Sequence, residues 1–169
     1  LGLGHREFAM ISGVTANNER ARDRLLGVQD ALAARGLKLS PERVVEKPYS
    51  LASGREGLRA LVSTARPPTA VMCGNDVLAI GAIAECNTLG ISVPQQVSIT
   101  GFDDMEIASL LSPGLTTIHF PTLELGQLAA THLLNQLAGR SDVRQHELPV
   151  ELKVRGTTAP PARAQLRRA

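Results

Sequence analysis

The chain has 169 residues, 43% of them hydrophobic, and a formal net charge of +2, which supplies the core of one folded domain and excludes a disordered tail as a description of the whole. Basic residues are interleaved with acids until Arg163, Arg167 and Arg168 cluster at the end, which argues against nucleic-acid binding by the body of the chain. No apolar run reaches the roughly 18 to 20 residues that cross a bilayer, and Leu1 to His5 is neither a charged signal start nor a signal core, so a cytoplasmic setting is expected.

The chain opens without methionine on Leu-Gly-Leu-Gly-His and reads as a fragment. EFAMISG, Glu7 to Gly13, is a short apolar run closed by glycine and predicts a buried strand. A helix is predicted from about Asn18 to Arg35, because Ala21, Leu25, Val28 and Leu32 recur at helical spacing before Gly36.

The alternation then repeats. Val44 to Tyr49 leads into Leu51 to Thr64, Ala70 to Asn75 into Asp76 to Leu89, and Val97 to Asp103 into Glu106 to Leu111. Apolar strands separated by helices indicate a parallel sheet covered on both faces, a doubly wound α/β fold.

After Pro113 the pattern changes: Thr116 to Phe120 is a strand, and a helix carrying Leu125, Leu128, Ala129, Leu133 and Leu137 follows Pro121, which is tolerated near its first turn. Glu147 to Thr158 alternates Leu148, Val150, Leu152 and Val154 and reads as an edge or one-sided strand. Disorder is expected from Pro160 onward. The expected division is 1–120 as one subdomain, 121–158 as a returning helix and strand, and 159–169 as a disordered tail.

Cys73 and Cys86 fall in apolar or helical patterns and suit buried thiols in a reducing compartment rather than a disulfide. His5, His119, His132 and His146 stand alone, without the spaced partners of a metal site, and receive no chemistry. No Ser/His/Asp set or phosphate loop is present, so neither catalysis nor a cofactor is expected.

In an open parallel sheet, ligands bind beyond the carboxyl ends of the strands. The predicted strands deliver Ser12 and Gly13, Tyr49, Asn75, and Asp103 with Asp104 to that edge. A sugar requires bidentate acceptors, groups that both donate and accept, and a flat apolar surface, and Asp103, Asn75 and Tyr49 are the candidates.

Each has a competing use. Asp76 and Asp104 are expected to cap the helices that follow them, Asn75 serves an Asx turn as readily as a ligand, and Tyr49 is either a core filler or the sole stacking platform. With Asp104 capping, Asp103 is left for a ligand. Arg24, in the first turns of the first helix, reaches back over the rim or else is a solvated charge like Arg20 and Arg22.

The segments LGLGHREFAMISG, PTAVMCGNDVLAIGAIAECNTLGISVPQQVSITGFDD, LLSPGLTTIHFPTLELGQLAA and ELPVELKVRGTTAP together resemble the LacI-type (lactose/galactose repressor) family, in order from Leu1 to about Pro160. The resemblance implies a periplasmic-binding-protein-like type I core and corresponds to its second subdomain plus the helix and strand that cross back. It implies effector contacts at Arg24, Tyr49, Asn75 and Asp103, with Thr122 standing where some members place an aromatic. It also implies a homodimer through Leu78, Ile80, Ile83, Ala84, Leu110 and Leu111, several of which ordinary core packing explains equally well.

The substitutions at Tyr49 and Thr122 leave the effector's identity open, since some relatives bind purines, and the implied class is a sugar or sugar derivative. Operator DNA would be reached only through an amino-terminal domain outside this chain, and the leucines of the returning helix would pack against the first subdomain. A sugar-transporter solute-binding protein is the alternative on the same fold.

Overall fold

The computed structural model describes residues 1–140 and 145–162. Among the described residues, six strands and five α-helices follow in the order β1 (Phe8–Gly13), α1 (Glu19–Ala33), β2 (Val44–Lys47), α2 (Leu51–Val62), β3 (Ala70–Cys73), α3 (Asp76–Leu89), β4 (Ser98–Thr100), α4 (Glu106–Leu110), β5 (Thr117–His119), α5 (Thr122–Leu137) and β6 (Glu151–Lys153). A 3-10 turn at Pro41–Arg43 leads into β2.

The first four strands form one parallel sheet in the order β2-β1-β3-β4. Every residue of β1 is buried, as expected of a central strand covered on both faces. Its alternation sends Ala9 and Ile11 into the core shared with α2 and α3, while Phe8 and Met10 join Leu32 and Leu39 on the opposite side, against α1. The doubly wound reading therefore holds.

Capping side chains start the three long helices of the sheet. Asn18 accepts from the Ala21 amide, Ser50 from that of Ser53, and Asn75 from that of Leu78. All three helices consequently begin at the same edge of the sheet. Gly90 ends α3 at φ 68°, a left-handed conformation that glycine adopts without a Cβ penalty.

The predicted strands run long at their carboxyl ends. β2 stops at Lys47 and β4 at Thr100, which leaves Tyr49 and Asp103 in loops rather than on strands. The α3 cap also differs from expectation: Asn75 holds the cap, and Asp76 is completely buried with another task. Nor does Asp104 cap α4, which starts after Met105 with no side-chain cap.

β5 begins beside β4 through a parallel bridge between Thr100 and Thr116, then pairs antiparallel with β6. The segment after β6 returns to the sheet, where the Thr157 hydroxyl donates to the Ile99 carbonyl and accepts from the Thr116 amide. Ala159 is fixed as well: its amide donates to Ser98 Oγ, and its carbonyl accepts from His5 Nε2 at 2.8 Å. The described chain runs to residue 162, and residues 163–169, which hold most of the expected tail, lie outside the described ones.

His5 is thus a structural residue that its isolation in sequence does not reveal. Its Nδ1 sits 2.9 Å from the Thr69 hydroxyl, so one imidazole joins the entry of β1, the entry of β3 and the end of the return segment. Cys73 and Cys86 are buried free thiols. No helix among the described residues is long and apolar enough to cross a membrane.

α5 carries no buried residue, and Leu123, Leu133, Leu134 and Leu137 are exposed, as are Val150, Leu152 and Val154 around β6. The expected interface set divides on burial. Leu78 is 0% exposed and Ile83 8%, both in the core beside α2. These two pack in the core, the competing explanation for them, whereas Leu110 is 74% exposed. Ile80 and Leu111 are half-buried and Ala84 is exposed.

Candidate functional site

At the carboxyl edge of the sheet, β1 ends on Gly13, where an added Cβ would overlap the Tyr49 ring. Glycine is therefore required for Tyr49 to lie across the end of β1. The Tyr49 hydroxyl accepts a long hydrogen bond, 3.4 Å, from Arg24 Nη1, which also donates to the Gly74 carbonyl at 3.1 Å. Arg24 of α1 thereby spans from the β2 loop to the end of β3.

The Arg24 Cζ also lies 4.1 Å from the centroid of the Phe102 ring, over its face, a cation–π contact that holds the guanidinium over the rim. Phe102 in turn packs against Phe120 with ring centroids 5.9 Å apart. Tyr49 is therefore not the sole aromatic platform of the rim. In sequence Phe102 falls inside the strand predicted from Val97 to Asp103, and nothing there marks it as a rim residue.

Asp103 follows at φ 115° and Asp104 at φ 53°. Both are left-handed values that a side-chain-bearing residue adopts at a cost of about 1 to 3 kcal/mol each, held only where surrounding structure enforces them. Burial pushes the Asp103 carboxyl above its ordinary value, opposed by the charge of Arg24, while nearby Asp76 adds to the rise and Arg20 opposes it. A cation and a half-buried carboxylate thus share one rim.

Asn75 sits beside Gly74 with its Oδ1 committed to the α3 cap, so the Asx-type use and a ligand use are compatible: the amide NH2 remains as a donor at the rim. Arg24, Tyr49, Asn75 and Asp103 fall at the same edge. Thr122 does not join the Arg24 network; it is exposed in the first turn of α5, and its amide bonds to the Phe120 carbonyl.

The second member of each Asp-bearing pair faces elsewhere. Asp76 accepts from Thr117 Oγ1 at 2.6 Å and from the Met105 amide at 2.8 Å. Asp104 accepts from Arg155 Nη2 at 2.7 Å. His119 Nδ1 lies 3.1 Å from Asp104 Oδ2, within ion-pair range but outside hydrogen-bond geometry. Burial raises the Asp76 carboxyl above its ordinary value against the hydrogen bond from Thr117.

A cation seated over an aromatic ring, a half-buried carboxylate, an amide donor and a phenol together suit recognition of a small polyhydroxylated or heteroaromatic molecule.

Comparison with known proteins gives this arrangement its context. A family profile described as periplasmic binding protein-like domain matches residues 1–158. The chain is 38% identical over 137 residues to the ribose operon repressor of Haemophilus influenzae, covering 81% of this chain and 41% of that protein. It is 36% identical over 142 residues to the HTH-type transcriptional repressor PurR of Photorhabdus laumondii, covering 84% and 41%. Among solved structures, the lac repressor dimer bound to operator and the anti-inducer ONPF superimposes with a TM-score of 0.84 at 32% identity, covering 94% of this chain and 47% of that one. The chain spans about two-fifths of the length of the curated relatives it matches.

Proposed function

The chain belongs to the LacI-type family of transcription regulators, with its periplasmic binding protein-like domain, and on that premise we propose that it is the effector-binding portion of a repressor. The observation that carries this is the convergence of Arg24, Tyr49 and Phe102 with Asp103 at the carboxyl edge of the sheet. A sugar or sugar derivative is the effector class, since Asp103 accepts from neighbouring hydroxyls while Arg24 and Asn75 donate.

The rim is one wall of the cleft, and α5 and β6, with their outward leucines and valines, lead toward the other. The effector closes the cleft and exerts its action by binding one closure state more tightly than the other, the only means by which a ligand shifts such an equilibrium. The protein works as a homodimer in the cytoplasm, where operator DNA is, and reaches that DNA through a domain outside this chain. Relatedness to repressors supports this reading over a transporter's solute-binding protein.

A thermal-shift screen of the full-length protein with sugars, sugar phosphates and nucleobases tests the proposal, because a ligand at 100 times its Kd stabilises the native state by about 2.7 kcal/mol. A sugar is expected to raise Tm and to change operator affinity. A nucleobase doing so in its place would reassign the effector class, and no response from any compound would defeat the effector reading.

A further inference from the structure

Two pairs of consecutive residues divide their work in the same way. Asn75 and Asp103 lie at the rim, while Asp76 and Asp104, one residue on, turn to the segments that leave the domain. Asp76 reaches Thr117 at the start of β5. Asp104 reaches Arg155, two residues beyond β6, and lies against His119, the last residue of β5.

The loop between the rim and these strands has its backbone engaged at each step. The Asp76 amide donates to the Phe102 carbonyl, the Asp103 amide to the Ile118 carbonyl at 3.0 Å, the Asp104 amide to Thr117 Oγ1 at 3.4 Å, and the Met105 amide to Asp76 Oδ2. With both aspartates at positive φ, the loop has few alternative conformations in which to absorb a displacement of Asp103. Movement there passes to β5.

Arg155 extends the connection to the second strand. Its Nη1 donates to the Leu115 carbonyl and its amide to Thr116 Oγ1, each at 2.9 Å. The Asp104 and Arg155 side chains are only 13% and 23% exposed, so water screens this pair less than a surface ion pair. One carboxylate therefore braces both strands of the two-stranded sheet where they depart.

We propose that Asp76 and Asp104 are positioning residues that transmit occupancy of the rim at Asp103 to the departing segments β5 and β6. The inference rests on the effector reading above. Neither residue touches the effector; each acts through the backbone of the Phe102–Met105 loop.

The test is hydrogen–deuterium exchange of the full-length protein with D-ribose, D-galactose and adenine as probes, alongside calorimetric binding of the same compounds. In the wild type, the probe that binds is expected to slow exchange in β5 and β6 by about fivefold or more, the lower range of ordinary coupling. In Asp104→Asn the binding midpoint should hold while the probe-dependent slowing in β6 disappears, and Asp104→Glu should restore it.

Arg155→Gln carries the same expectation and decides the matter if Asp104→Asn does not fold. A merely structural brace would speed exchange equally with and without probe, leaving their ratio at the wild-type value, and that result overturns the inference while sparing the effector reading. Loss of probe binding in Asp104→Asn would make the residue a ligand contact and also overturn it. If no probe acts on the wild type, both readings fall together.

Discussion

The guanidinium of Arg24 rests 4.1 Å above the ring of Phe102, the residue that immediately precedes Asp103. α1 and the loop after β4 are thereby tied across the rim by a contact that involves no ion pair. The contact leaves part of the guanidinium fork directed at Tyr49 and Gly74. Arg24 is thus held in place before any effector arrives, which lowers the ordering cost of binding.

Arg24→Lys tests that pre-organisation. Lysine keeps the charge but loses the planar stack and the fork. Stacking at an exposed site is worth about 0.5 to 1 kcal/mol and a hydrogen bond from a charged donor about 1.5 to 3 kcal/mol. Effector affinity in the full-length protein should fall by roughly tenfold or more, and Tm should fall by a few degrees as well, because the stack and the bonds to Tyr49 and Gly74 are made in the free protein. Calorimetric titration checks the first and a thermal melt the second; equal affinity for Lys would remove Arg24 from the site.

At Asp103, stability and function should move in opposite directions. Glycine is at ease at φ 115°, so Asp103→Gly should stabilise the fold by about 1 kcal/mol once the entropy of glycine in the unfolded chain is counted. Asp103→Ala retains the strain. Both should keep operator binding and lose the response to effector, because a buried donor on the effector is left unpaired. Urea denaturation with operator-binding assays separates the two effects, and an effector response retained in both variants would reject the site assignment.

The sheet, its helices and the candidate residues Arg24, Tyr49 and Asp103 were legible because each depends on local pattern: apolar runs, helical spacing, and the rule that places ligands at the carboxyl edge. What sequence did not disclose is set by distant partners. Asp76 and Asp104 occupy positions typical of caps, yet the Asp76 carboxylate is claimed by Thr117 and Met105, 41 and 29 positions away, and that of Asp104 by Arg155, 51 positions away. His5 is a lone histidine in sequence because its partners Thr69 and Ala159 lie 64 and 154 positions away. Leu78 and Ile83 share one helix with Ile80 and Ala84, and only the packing of α2 on α3 decides which of them is core.

His5 should make stability depend on pH. Burial pushes its imidazole below the ordinary value of 6.5, ahead of the opposing hydrogen bond to Ala159. The folded state therefore binds a proton less readily than the unfolded one, and stability rises with pH from the lowered native value up to 6.5 and falls as pH drops through that window. Glu85, held low chiefly by hydrogen bonds from Arg55 and Arg59, loses its contribution separately as pH falls below its ordinary 4.5. Urea denaturation across pH should show the upper slope in the wild type and a flat line there in His5→Gln; an unchanged slope would take the proton linkage away from His5.

Leu110 and Leu78 offer a direct contrast between surface and core in the proposed dimer. Leu110 is 74% exposed on α4, beside Met105 and Ile107, which are 42% and 45% exposed, while Leu78 is 0% exposed. Leu110→Lys should leave the stability of the domain within about 0.5 kcal/mol of wild type, as ordinary surface changes do, while shifting the full-length protein from dimer toward monomer by placing a charge in an apolar contact. Leu78→Ala should instead cost about 2 to 5 kcal/mol through the cavity it opens against α2. Multi-angle light scattering reads the first effect and denaturant midpoints the second. A dimer unaltered by Leu110→Lys would mean that α4 faces solvent in the assembly, and would move the interface to the exposed side of α3 around Ile80 and Ala84.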